Sequence, residues 1–160
     1  MSPNEQKYTE DDFFRLIGKI SVSFSVLDYF TSDFMRDLTK HPSSQALPFL
    51  ATDTLGRKFS ILKKMKSEDA SNPDVLAECK SLLPKAFSIA DERNRYIHDQ
   101  WIFDRDLTPS GKIRRIKMTF QGVEDGNTEV SIEDLNQFLD KVVALQDQVI
   151  KIHKKLRPQS

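Results

Sequence analysis

The segment Asp91-Glu92-Arg93-Asn94-Arg95-Tyr96-Ile97-His98-Asp99-Gln100-Trp101 sets His98 apart from the other histidines by the chemically capable side chains around it. On a helix, Asn94 and His98 are four apart and share a face, and Arg93 flanks that face about one residue's rotation from Asn94. A base, an amide and a guanidinium can then border one cleft. The trio suits phosphodiester chemistry: an imidazole exchanges a proton near neutral pH, and a forked guanidinium neutralises charge developing on a phosphoryl group. No metal and no cofactor is required for such a reaction. The same residues admit a structural reading, in which Arg93 pairs with Asp91 or Glu92, Asn94 caps or bridges helices, and His98 closes a helix whose dipole favours a cation there.

Other chemistry finds little support. There is no CxxC, no HExxH and no glycine-rich phosphate loop, and the chain holds only five glycines. The single cysteine, Cys79, excludes an intramolecular disulfide and a cysteine-based zinc site, fits a reducing compartment, and is expected as a small buried apolar residue. His41 beside Pro42, and His153 in a cationic run with Lys151, Lys154, Lys155 and Arg157, are expected on solvated surface. No metal ligand set is assigned.

The 24 basic and 24 acidic residues cancel, which argues against a protein that coats DNA or a membrane surface. A nucleic-acid site must be a local patch. Lys112, Arg114, Arg115 and Lys117 crowd one segment and Arg57, Lys58, Lys63 and Lys64 another, while Glu124, Asp125, Glu129, Glu133, Asp134 and Asp140 make an acidic stretch. Such a patchwork could orient an RNA phosphate chain or simply be a solvated face. Tyr96 and Trp101 flank the motif and are the two aromatic residues considered for contact with a base; packing is the competing role. No stretch approaches the ~20 apolar residues of a membrane span, and Met1 to Gln6 lack the cationic start and apolar run of a secretion signal. A cytoplasmic protein is expected.

The elements that must position these groups follow from periodicity. Thr9 and Asp12 make an approximate capping box, and Phe13, Ile17, Ile20, Phe24, Leu27, Thr31, Phe34 and Leu38 recur in steps of four and three, predicting a long first helix ended by His41-Pro42-Ser43-Ser44. Gly18 beside that seam suggests a close backbone approach. A weaker helix between about Ala46 and Lys66 carries Leu55, Phe59, Leu62 and Met65 on one face and its basic residues elsewhere. Asn72-Pro73 should open a third, through Val75, Leu76, Cys79 and Leu83, which Pro84 should kink or restart before Phe87, Ala90, Asn94, Ile97 and Trp101.

After Trp101 the period becomes two. Strands are predicted at Gln100 to Asp104, Lys112 to Phe120 and about Thr128 to Val130, with turns at Pro109-Ser110-Gly111 and Asp125-Gly126-Asn127. Ser131 with Asp134 then caps a last helix whose seam is Leu135, Phe138, Val142, Leu145, Val149, Ile152 and Leu156. The fold class is mainly α: one domain over residues 1–160, an antiparallel bundle of about four helices, with a small β-hairpin or ribbon at about 100–130 before the C-terminal helix.

Within this layout Arg93-Asn94-x-x-x-His98, late in a helix of a small helical domain, resembles the RNxxxH signature of the HEPN superfamily (higher eukaryotes and prokaryotes nucleotide-binding domains). The resemblance implies a helical bundle and, as in many members, a metal-independent endoribonuclease that serves as a toxin, a phage-defence effector or an RNA-processing module. It implies that Arg93 and His98 are the catalytic pair, that Asn94 supports them, and that two protomers bring their motifs together across a dimer interface. RNA, contacted by Tyr96, Trp101, Arg114, Arg115 and Lys117, a second copy of the chain, and an antitoxin or regulatory protein are the expected partners. Asp99 stands where a small residue often follows the His, so a carboxylate is expected beside the imidazole. The alternative is a non-catalytic interaction or adaptor module, whose two seamed helices bind a partner protein.

Overall fold

The computed structural model describes residues 8–40, 54–103, 111–116, 118–119, 122–123 and 128–157. Among them are four α-helices, α1 (Glu10–Leu38), α2 (Leu55–Lys64), α3 (Pro73–His98) and α4 (Ile132–Lys154), with a 3-10 turn at Ser67–Asp69. Five strands, β1 (Gln100–Ile102), β2 (Lys112–Ile116), β3 (Met118–Thr119), β4 (Gly122–Val123) and β5 (Thr128–Ser131), lie between α3 and α4. The fold is mainly α with a small antiparallel sheet before the last helix. The predicted helix stop at His41 to Ser44, the helical pattern before Thr54 and the turns at Pro109-Ser110 and Asp125 to Asn127 lie outside the described residues.

Both predicted capping boxes form. Asp12 accepts from the Thr9 N–H and hydroxyl at 2.9 Å each, and its own N–H donates to Thr9 Oγ1 at 3.3 Å. Asp134 accepts from the Ser131 N–H and hydroxyl at 2.8 and 2.7 Å, and its N–H donates back at 3.0 Å. In each case two otherwise orphaned backbone donors of the first turn are satisfied reciprocally. Asn72 caps α3 through Oδ1, which accepts from the N–H groups of Asp74 and Val75, and Pro73 follows at the first helical position.

Two compact units divide the contacts, one of Met1–Val22 and Asp91–Asp140, the other of Ser23–Ala90 and Lys141–Ser160. In the first, Phe13, Leu16 and Ile20 of α1, Tyr96 of α3, Ile113 and Val130 of the sheet, and Ile132, Leu135 and Phe138 of α4 are buried. In the second, the buried set includes Phe24, Leu27, Phe34 and Leu38 of α1, Leu55, Phe59 and Leu62 of α2, Leu76, Cys79, Leu83 and Ile89 of α3, and Val142, Leu145, Val149 and Ile152 of α4. Here α3 runs antiparallel to α4, since Glu78 bonds to Lys155 and Lys85 meets Gln148. Burial of each such Leu, Ile or Phe contributes about 1.5–3 kcal/mol, which is what holds these stripes together.

The structure corrects three local expectations. Helix α3 runs through Pro84 as one helix, so the restart expected there does not occur. Pro84 is exposed, and the buried Leu83, Ala86, Ile89 and Ala90 around it offset the ~3 kcal/mol helix penalty of a proline. Gly18 makes no close approach: a Cβ there would meet nothing within 4 Å, because the residue lies on the exposed side of α1. Lys58, expected off the apolar face, is fully buried, with Nζ 2.7 Å from Asp28 Oδ1.

The ribbon is also divided. A three-stranded antiparallel sheet has the order β1-β2-β5, and β3 pairs with β4 separately, so the described residues of the expected strand from Lys112 to Phe120 fall into two sheets, in β2 and β3. Register places Trp101 opposite Arg115 and Ile113 opposite Val130. Gly111 precedes β2 at φ 78°, and an added Cβ would lie 2.5 Å from the Tyr8 ring, so both its left-handed backbone and its missing side chain are needed.

Candidate functional site

The last turn of α3 carries the motif. His98 is the final helical residue, and Asn94 one turn earlier is exposed as it is. Arg93 is half-buried and its Nη1 donates to Asn94 Oδ1 at 3.3 Å. The helix thus presents an amide already oriented by a guanidinium, and an imidazole that makes no hydrogen bond or ion pair with a described residue. An exposed imidazole can take a proton from a docked hydroxyl, and a guanidinium five residues earlier on the helix can meet a phosphoryl oxygen.

The structure seats the flanking aromatic residues in packing. Tyr96 is buried, its ring stacked on Trp101 with centroids 6.0 Å apart and tilted against Phe138 at 4.9 Å. Burial, with Glu92 beside it, pushes the Tyr96 phenol up to about 12, and its hydroxyl donates to Glu92 Oε1 at 3.3 Å. Trp101 is half-buried, and its indole N–H donates to the Tyr96 carbonyl at 2.9 Å. The Arg115 guanidinium lies 5.3 Å from the Tyr96 ring centre, a cation–π contact, and its Nε is 3.4 Å from Asp99 Oδ2. Both side chains of that ion pair are only 13% exposed. Asp99, the acid beside His98, therefore has its charge compensated by β2.

Of the remaining basic candidates, Arg114 is half-buried on β2 opposite Ile102 and Glu129, and Lys112 pairs with Glu129 at 3.1 Å. Lys117 lies outside the described residues, as does His41. Arg95 was not singled out by the motif; it is exposed three residues before His98, and its guanidinium makes no hydrogen bond or ion pair with a described residue. Its i,i+3 spacing from His98 was the available signal.

A second polar cluster contradicts the expectation of a solvated His153. That residue is 5% exposed, its ring edge-on to Phe34, with Nε2 2.7 Å from Asp37 Oδ2 and Nδ1 3.9 Å from Asp33 Oδ2. Asp33, Asp37 and His153 are the one group among the described residues whose ligand atoms lie close enough for a metal ion. Arg157 sits 2.7 Å from Asp33 and 3.5 Å from Asp37, and Arg36 pairs with both. Two guanidinium groups already balance the two carboxylates, so a cation would enter a neutralised, crowded site; the arrangement is a clasp between α1 and α4. Cys79 is buried as expected, and burial pushes its thiol up to about 12, which leaves it unreactive.

No protein-family profile matches this chain, and no curated protein or solved structure is significantly similar to it. Among the described residues no helix is long and apolar enough to cross a membrane.

Proposed function

We propose that this chain is a metal-independent endoribonuclease of HEPN type, acting on single-stranded RNA as a cytoplasmic homodimer, in the manner of a toxin or phage-defence effector held by an antitoxin or regulatory protein. The observation that carries the reading is the exposed pair Asn94 and His98 on one face of α3, with the Arg93 guanidinium bonded to Asn94. His98 takes the proton of a ribose 2′-hydroxyl as the 2′-oxygen attacks the adjacent phosphorus. Arg93 stabilises the pentavalent transition state, and Asn94 holds that guanidinium or the phosphate. The bond to the 5′-oxygen breaks and that oxygen takes a proton, leaving a 2′,3′-cyclic phosphate and a 5′-hydroxyl end. In this reading Arg95 and Arg114 hold the phosphate chain.

The test is cleavage of a labelled single-stranded RNA in excess chelator by the wild type and by His98→Ala, with the product ends mapped. Cleavage by the wild type alone, with cyclic phosphate ends, is the expected result. Activity that survives His98→Ala, or that the chelator abolishes, overturns the mechanism.

One observation favours the second reading, a non-catalytic interaction module. Phe14 and Val22, eight residues apart on α1 with Gly18 between them, are 57% and 65% exposed. An apolar strip of that spacing fits a helix of a partner protein. Capture of a partner that Phe14→Ser and Val22→Ser abolish, with no RNA cleavage, would decide for it.

A further inference from the structure

We propose that Arg115 is a positioning residue, which through Asp99 and the Tyr96 ring fixes the end of α3 and so aims the His98 imidazole. The proposal rests on the nuclease reading for its purpose, though its geometry is tested separately below. His98 closes α3 and Asp99 opens the turn into β1, so whatever holds Asp99 sets the path of the backbone that carries the imidazole.

Four contacts converge on that turn. The Asp99 N–H donates to the Arg95 carbonyl at 3.1 Å. Asp99 Oδ2 meets Arg115 Nε at 3.4 Å, both side chains being 13% exposed. The same guanidinium lies over Tyr96, two residues before His98, with 5.3 Å from its central carbon to the ring centre. Trp101, directly opposite Arg115 in the ladder, returns its indole N–H to the Tyr96 carbonyl at 2.9 Å. One strand residue thus grips the chain on both sides of His98, by a carboxylate at one neighbour and an aromatic face two residues back.

Burial separates this role from RNA contact. A guanidinium 13% exposed and held by a carboxylate and a ring has little surface to offer a phosphate. Arg95 and Asn94 on α3 are exposed by comparison. Charge leads to the same assignment. Asp99 follows His98 directly, and Arg115 compensates it, so loss of Arg115 would leave an unbalanced carboxylate next to the imidazole.

The experiment reads the imidazole itself. The chain has three histidines, and His98→Ala identifies the His98 Cε1–H signal in a proton NMR spectrum. Arg115→Gln and Asp99→Asn should each move that signal and leave those of His41 and His153 in place. The double variant should move it no further than either single change, and Arg115→Lys should restore most of the wild-type position. In the cleavage assay Arg115→Gln should lower kcat roughly tenfold, the scale expected for a displaced base, with KM and its salt dependence unchanged.

A His98 signal unmoved by both Arg115→Gln and Asp99→Asn overturns the proposal whatever the RNA result. So does a raised KM with a shallower salt dependence, which would make Arg115 a phosphate contact. If Arg115→Gln does not fold, Asp99→Asn carries the same test. A wild type that cleaves no RNA overturns the nuclease reading, and the NMR comparison then decides the positioning alone.

Discussion

The two described histidines of this chain sit in opposite circumstances. His153 is buried against Phe34, with carboxylates at both ring nitrogens and two arginines behind them. His98 is exposed at the end of α3, and its imidazole is bonded to no described residue. Residue type alone does not distinguish them. What does is the state of their hydrogen-bonding capacity: His153 is buried with Nε2 bonded to Asp37, which ties α1 to α4, whereas neither ring nitrogen of His98 is bonded to a described residue. A polar group that the fold has buried and bonded is part of the scaffold, and one left exposed is where chemistry has room.

Removing each imidazole is the most direct way to break that contrast. His98→Ala should lower RNA cleavage by about 10²–10⁴-fold, the usual share of a general base, while the urea midpoint of unfolding stays put because the side chain packs against little. His153→Ala should do the reverse. Its loss removes a charge-assisted hydrogen bond and an aromatic contact but leaves Asp37 paired with the arginines, for a cost of about 2 kcal/mol in urea unfolding at unchanged m-value. Cleavage per folded molecule should be unaffected. A His98→Ala protein that is destabilised instead would assign both histidines to the scaffold.

How far the sequence reveals this contrast depends on the distance along the chain over which a partner lies. The capping boxes at Thr9 and Ser131, the N-cap at Asn72 and the seams of α1 and α4 are local in sequence, and each stands where the periodicity put it. So does the motif's helix, since three- and four-residue spacings define it. Nothing local marks His153 as buried, because its partner is 116 residues away and a cationic run gives no sign of a carboxylate pair brought in by another helix. Lys58 is the same case at a separation of 30 residues. Pro84 does not restart α3 for a different reason: local propensity is outweighed by burial on the other side of the helix. The inward turn of Arg115 follows from β2 burying Ile113, two residues earlier on the same face.

Thr31 sharpens the contrast from a third side. It occupies a seam position in α1 at 1% exposure, and its hydroxyl has no hydrogen-bond partner among the described residues. It is neither committed like His153 nor open to solvent like His98, so it carries a desolvation cost without return. Thr31→Val replaces the hydroxyl by a methyl of nearly the same size. The variant should be more stable by about 1 kcal/mol, seen as a higher urea midpoint. A loss of stability would mean that the hydroxyl has a bonding role in solution.

The smallest expected effect concerns the acid limb of stability. Partial burial pushes the Asp37 carboxyl up, but the His153 hydrogen bond and the charges of His153, Arg36 and Arg157 outweigh it and hold the group below its ordinary value of 3.8. A depressed folded-state value means that the unfolded chain binds the proton more readily, so the contribution of Asp37 is fully present above about pH 4 and fades as pH falls through the folded value. Urea unfolding of the wild type between pH 6 and about pH 3 should show that decline, and Asp37→Asn, which cannot titrate, should flatten part of it. His98, outside this clasp, should leave the acid limb unchanged when replaced by alanine. Equal slopes for the wild type and Asp37→Asn would show that the clasp does not hold its carboxylate as the geometry requires, and the two histidines would then differ in exposure but not in commitment.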